Sequence, residues 1–433
     1  MKLSVWGRRV LSPALLVTLF FSGAGGASQE TTVSLGEPRV ASVTPATAAV
    51  TPARTPAPSR YDVNHVLSTG QSLSVGAAGV PALTKAQPYA NLMFAPGVMP
   101  GGEHLTRFVP LQESGLETMS SAFANLVARL AREEDQRDYD VLVSLHGKSS
   151  TGYWGLKRGS KAYATGLAQV THGRDIAKAN GQSYVVSAVT TVHGESDHVE
   201  KNLRYGQDLV RWQADYERDV RAITGQTDPV PLFETQMSSW NHYGAAESDV
   251  PLAQLSAHVA APGKVILVGP KYHLPYASDG VHLSNEGYRH MGEDYAKAYR
   301  RVVVEGRTWE PVRPKTITRN GAVLAVTFHV PTPPLVFDTT RVSDPGDYGF
   351  RFVDEAKTPI ASVAIAGPDT VTITLASEPR GAMRLQYAAI GVPNTPAGPR
   401  TGPRGNLRDS DATVSASGHA LFDWCVHFDE PVP

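Results

Sequence analysis

The stretch Val63-Asn-His-Val-Leu-Ser-Thr-Gly-Gln-Ser-Leu-Ser-Val-Gly76 decides how the rest of the chain is read. Its apolar run from Val63 to Leu67 ends at Gly70, and Ser72 follows at once, so a hydroxyl stands at the carboxyl end of a first strand. Open α/β sheets bind ligands at that edge, which makes Ser72 the first candidate nucleophile. A Gly-x-Ser triplet alone is more often a plain loop than a catalytic one. It acquires chemistry only if a base and an orienting acid stand elsewhere in the chain.

Outward from this stretch, from Tyr61 to about Trp309, short apolar runs alternate with helical periodicity. Strands are predicted at 62–68, 139–145, 184–192, 230–234 and 264–268. Met119, Phe123, Leu126, Val127 and Leu130 make one helical stripe, and Leu209, Trp212, Tyr216, Val220 and Ile223 a second that stops at Gly225. Tyr288, Met291, Tyr295, Tyr299 and Val302 make a third, with Ser284 placed to cap it. Strands alternating with helices predict an α/β domain over 61–310, a parallel sheet covered on both faces.

After Pro311-Val-Arg-Pro314 the helical period vanishes. Alternating runs at 322–330, 349–353, 361–365, 370–375 and 383–387, punctuated by Pro, Gly, Asn and Asp, predict a small all-β sandwich over 311–433. That domain is expected to be separate and to supply no catalytic side chain, so that the chain cut near Glu310 keeps hydrolytic activity.

Residues 1–27 carry Lys2, Arg8 and Arg9, an apolar run from Ala14 to Phe21, and the small-residue run Ser22 to Ala27. This is the pattern of a signal peptide and implies export to the periplasm or beyond the cell. Its apolar run is far shorter than the ~20 residues of a membrane span. Residues 28–60, rich in Thr, Pro and Ala, read as a disordered linker. The single cysteine, Cys425, excludes an intramolecular disulfide and lies in Phe422–Phe428, which reads as a buried strand. A formal net charge of −1 over 433 residues supplies no field to attract nucleic acid.

Acyl transfer by serine needs a histidine to take its proton and a third group to hold that histidine. The stretch Ala277-Ser-Asp-Gly-Val-His-Leu-Ser-Asn-Glu-Gly-Tyr288 offers both, with Asp279 and His282 in a loop before the last α/β helix. Trp154, Tyr153, Trp240 and Tyr243 fall in or near loops, where aromatic rings either stack on sugar faces or pack a lid. His198, His242, His273 and His290 are scattered without a metal-ligand spacing, so neither metal nor cofactor is expected.

Taken together the blocks resemble the SGNH (GDSL-like) hydrolase superfamily, and more narrowly its sialate O-acetylesterase-like carbohydrate esterases. Gly70-Gln71-Ser72 matches the first block of that group, Gly147 the second, Gly194-Glu195-Ser196-Asp197 the third, and Asp279 to His282 the Asp-x-x-His of the last. The resemblance spans 61–303 and implies a flavodoxin-like three-layer fold. It implies Ser72 as nucleophile, His282 as base and then acid, and Asp279 as the group that orients His282. Ser72 and Gly147 would offer backbone N–H groups to an oxyanion, while Gln71, Gly194, Glu195 and Asp197 would support the loops. Where the family has Gln or Asn as a further oxyanion donor this chain has His193, which is expected to donate in its place. The function so implied is that of an exported serine esterase deacetylating a carbohydrate, with an acetylated sugar as partner and no nucleic acid. Its alternatives are a catalytically silent carbohydrate-binding protein and a lipase or thioesterase on the same scaffold.

Overall fold

The computed structural model describes residues 57–433, so the signal peptide and all but the end of the linker lie outside the described residues. Seven strands form the main sheet: β1 (Val63–Gly70), β2 (Leu92–Phe94), β3 (Phe108–Pro110), β4 (Val141–Leu145), β5 (Tyr184–Val192), β6 (Leu232–Gln236) and β7 (Val265–Pro270). Their order is β3-β2-β4-β1-β5-β6-β7. All neighbours are parallel except the edge pair β2–β3. Strand β1 lies at the centre, and the chain builds outward from it on one side and then on the other. Such a reversal opens a crevice beyond the carboxyl ends of the strands.

Every residue of β1 is buried, as the central strand of a sheet covered on both faces requires. Its polar members are paired within the core. The His65 ring lies between Tyr184 Oη at 2.5 Å and Ser144 Oγ at 2.8 Å, and burial lowers its pKa to about 3, so it is neutral. At Gly70 φ is +121°, and an added Cβ would stand 2.3 Å from the Val192 carbonyl oxygen. Only glycine ends β1 this close to β5.

The helices α1 (Ser120–Glu133), α2 (Lys161–Ala179), α3 (Glu195–Val199), α4 (Tyr205–Thr224), α5 (Asp249–Ala260) and α6 (Asn285–Tyr299) flank the sheet, with one further helical turn at Tyr153–Leu156. Helices α1 and α6 share one buried cluster with the sheet, and α2, α4 and α5 share another. Ser284 caps α6 as expected, its Oγ accepting from the Gly287 N–H, and Gly225 closes α4 in a left-handed conformation. No helix among the described residues is long and apolar enough to cross a membrane.

The segment after residue 311 contains β8 (Arg313–Asn320), β9 (Val323–His329), β10 (Phe350–Val353), β11 (Ile360–Ile365), β12 (Thr370–Leu375), β13 (Met383–Tyr387) and β14 (Phe428–Val432). They form two antiparallel sheets, β8-β9-β12-β11 and β10-β13-β14. Leu324, Val326, Phe328, Phe352, Ile373, Leu385 and Phe428 from both sheets meet in one core, which also takes in Leu255, Leu267 and Tyr272 from the α/β layers. Cys425 is buried there beside an isolated bridge at Trp424 rather than inside a continuous strand. The linker is also shorter than expected at its end. Ala57–Pro58 pairs with Arg137–Asp138, and Arg60 reaches Asp228 at 2.9 Å, so backbone pairing orders the chain before Tyr61.

Candidate active site

Strand β1 delivers Ser72 to the sheet edge through a tight turn. The Gln71 N–H donates to Val192 O, and Ser74 returns its backbone N–H and its hydroxyl to Gln71 O at 2.9 and 2.7 Å. The side chain of Gln71 accepts from the Ser196 N–H at 3.1 Å, which ties this turn to the start of α3. Tyr288 on α6 donates its hydroxyl to Ala77 O at 2.7 Å and so holds the last helix against the same turn.

The loop between β7 and α6 brings the other two groups. His282 Nε2 stands 2.8 Å from Ser72 Oγ, and His282 Nδ1 stands 2.7 Å from Asp279 Oδ2. Asp279 Oδ1 accepts from the backbone N–H groups of Val281 and His282 at 3.0 and 2.9 Å, which fixes the carboxylate before it touches the ring. Desolvation pulls the Asp279 pKa up, but these backbone bonds and the His282 ring outweigh it and leave the group below the ordinary carboxylate range. An ionised Asp279 requires the proton of neutral His282 to sit on Nδ1. That leaves the Nε2 lone pair facing the serine hydroxyl, the arrangement general base catalysis needs.

Gly147 belongs to the loop after β4. An added Cβ there would stand 2.2 Å from Ser74 Oγ and 2.9 Å from Gly70 O, so only glycine lets this loop lie against the serine turn. The flanking residues are committed, the His146 N–H to Ser68 O and the Lys148 N–H to Gly70 O. By contrast, the N–H groups of Ser72 and Gly147 donate to no protein acceptor among the described residues. Two free donors beside a nucleophile are what an oxyanion requires.

His193 is not a third donor, contrary to the expectation from its position. Its Nε2 lies 3.0 Å from the Thr151 carbonyl oxygen, an acceptor only, so Nε2 carries the proton; Nδ1 then accepts from the Tyr205 hydroxyl at 2.8 Å. The ring is fully buried against Tyr205 and Trp212 and has no N–H left for a substrate. His193→Ala would orphan both partners, at roughly 1–3 kcal/mol each. A clear fall in melting temperature with kcat at pH 8 within about tenfold of wild type is expected, and loss of kcat at unchanged stability would restore the oxyanion role.

Glu195 and Asp197 are buried in supporting positions. Asp197 accepts from the Tyr153 N–H at 2.9 Å and from Asn202 at 2.7 Å, pinning two loops. Glu195 Oε1 lies 3.2 Å from Lys271 Nζ and accepts from Ser239 Oγ at 3.1 Å. Lys271 also offsets, with Gln254, the strong upward push of burial on the Glu234 pKa. Sequence reading missed this buried lysine, because one cation after a strand, in Pro270-Lys271-Tyr272, has no distinguishing spacing. Gly194 holds φ +133°, where a Cβ would press on Val250.

The aromatic candidates separate by burial. Tyr153 and Trp240 are core residues, whereas Trp154 and Tyr243 are exposed. Tyr243 lines a groove of about 530 Å³ with His198, Leu203 and Ser248. Burial raises its pKa, and the charges of Glu195 and Asp279 raise it further.

A serine after the first strand, an Asp-x-x-His turn before the last helix and free backbone donors between them make up a serine–histidine–aspartate relay on an α/β fold. No protein-family model matches the chain, and no curated protein matches it in sequence. Among solved structures, a carbohydrate acetylesterase from Xanthomonas citri shares the fold at TM-score 0.54 and 14% identity, covering 85% of this chain and 80% of its own. A protein from Arabidopsis thaliana is similar over 55% of this chain and 97% of its own, at TM-score 0.42 and 20% identity. A carbohydrate acetylesterase from Sinorhizobium meliloti is similar over 54% and 97%, at TM-score 0.31 and 12% identity.

Asp279→Asn should keep these distances but favour the wrong His282 tautomer. A fall in kcat of up to about 10⁴ is expected, and a loss below tenfold would show that another group orients the ring.

Proposed function

We propose that this chain is an exported serine esterase that removes acetyl groups from a carbohydrate. The observation that carries the proposal is the relay Ser72 Oγ to His282 Nε2 to Asp279, at 2.8 and 2.7 Å. His282 takes the hydroxyl proton as Ser72 Oγ attacks the ester carbonyl carbon. The oxyanion forms beside the free N–H groups of Ser72 and Gly147, and His282 then returns the proton to the departing sugar oxygen. Water, deprotonated by the same ring, releases acetate and regenerates Ser72. The carbohydrate preference is supported by the exposed ring of Tyr243 at the groove and by the shared fold with the Xanthomonas acetylesterase. We read the two antiparallel sheets as a sandwich that braces the α/β layers, and residues 1–27 as the export signal.

The test is acetate release from acetylated glycans by the purified protein, together with turnover of aryl esters of increasing acyl length. Acetate release with a preference for the acetyl ester is expected. Turnover that rises with chain length would replace the deacetylase by a lipase or thioesterase, and no turnover at all would leave a binding protein.

A further inference from the structure

A second cluster of side chains lies behind the catalytic loop, where the α/β layers meet the segment after residue 311. His273 follows β7 by three residues, and His290 and Asp294 stand one turn apart on α6. His273 Nε2 is 3.1 Å from Asp294 Oδ2, His290 Nε2 is 4.0 Å from Asp294 Oδ1, and one ligand atom from each residue lies within 4.8 Å of the others. The Asp294 carboxylate is buried, yet its Oδ1, which faces His290, has no hydrogen-bond partner among the described residues. His290 Nε2 has none either. Buried polar atoms are seldom left unpaired without a reason, and a missing ion is one of the recognised reasons.

Lys297, three residues on along α6, is held by Asp411 at 2.9 Å and Asp423 at 2.7 Å and makes no ion pair with Asp294 among the described residues. We propose that His273, His290 and Asp294 form a binding site for one zinc ion, with water as the fourth ligand. Two imidazoles and a carboxylate are a recurrent zinc donor set, and tetrahedral bonds of about 2.0–2.2 Å separate neighbouring ligand atoms by roughly 3.3 Å. The His273–Asp294 separation already fits. His290 closes the remainder by a small side-chain rotation; its ring is part-exposed and stacks on the exposed His419.

The position gives the ion a purpose. The loop that carries Asp279 and His282 leaves the sheet just before His273 and re-enters α6 before His290, so one zinc would tie together the two ends of the catalytic loop. Helical spacing shows only His290 and Asp294 as a pair; the third ligand comes from the other end of the loop, which is why no metal spacing is visible in the sequence.

The test uses the full chain, stripped with chelator and titrated with zinc by calorimetry, and with cobalt as an absorbing probe. One equivalent bound with Kd below about 10 μM, a raised melting temperature and the intense visible bands of tetrahedral cobalt are expected. His290→Gln leaves the Asp294 and Lys297 contacts in place and should weaken binding at least tenfold, whereas His104→Gln on an exposed loop should not. Absence of stoichiometric binding, or equal affinity in wild type and His290→Gln, would overturn the proposal. If His290→Gln fails to fold, the wild-type cobalt spectrum decides: only the weak bands of octahedral cobalt would overturn it.

Discussion

Ser72→Ala is expected to abolish ester hydrolysis, with kcat falling on the order of 10⁶, the scale seen when the nucleophile of a serine–histidine–aspartate relay is removed. What remains is the smaller acceleration, about 10³–10⁴ over water, that free oxyanion donors and binding alone can supply. Stability should barely change. The Ser72 hydroxyl makes its one side-chain hydrogen bond to His282, and the turn is held by Gln71, Ser74 and Tyr288. A change within roughly 0.5 kcal/mol is therefore anticipated. Steady-state turnover of an aryl acetate and a thermal melt on the same preparation check both halves. Wild-type turnover would remove Ser72 from the mechanism, while lost turnover with a large fall in melting temperature would assign Ser72 a structural role.

The parts of this site that were legible in the sequence are those in which one residue type has one use. Gln71 and Ser72 follow a strand that closes on Gly70, and Asp279 and His282 precede a capped helix, so strand end and helix start announced where they would lie. His193 shows the opposite case. Its place beside Gly194-Glu195 suggested an oxyanion donor, but Tyr205 and Thr151, one on a later helix and one in an earlier loop, consume both ring nitrogens. Partners brought from elsewhere in the chain decide what a buried histidine does, and no local pattern encodes them.

Helix α2 was illegible for a related reason. It makes its close contacts through glycines: an added Cβ at Gly166 would stand 2.6 Å from His146 Nε2, and one at Gly173 would stand 2.9 Å from the Tyr184 hydroxyl. Those contacts, with Gln169 buried on the same helix, leave no apolar stripe to read. Likewise β8 alternates exposed and half-buried residues without a strong apolar set, because it lies at a sheet edge. Apolar periodicity reports faces built of successive large apolar side chains; α2 sets Gly166, Gln169 and Gly173 between Tyr163, Val170 and Ile176, and β8 buries no side chain fully.

Cutting the chain after Glu310 is expected to leave no active enzyme, in contrast to the expectation from the sequence that residues 61–310 suffice. Three sets of contacts would be lost together. Leu255, Leu267 and Tyr272 share their core with the β-rich segment, and the Tyr272 hydroxyl donates to Cys425 O at 2.7 Å. Lys297, nearly inaccessible, would lose both Asp411 and Asp423, and breaking a buried ion pair from one side costs about 3–5 kcal/mol. Closer to the chemistry, the Ala397 N–H donates to Gly280 O at 3.0 Å, Pro396 covers Gly280, and the Asn394 N–H donates to Asn241 O at 2.6 Å. Gly280 sits between Asp279 and His282, so the β-rich segment holds the turn that carries both. Expression of 54–310 should give aggregated protein or a soluble form without measurable aryl acetate hydrolysis, and adding 311–433 in trans should recover activity if the pieces reassemble. Full activity in a soluble 54–310 fragment would show that the relay keeps its geometry without the support at Gly280.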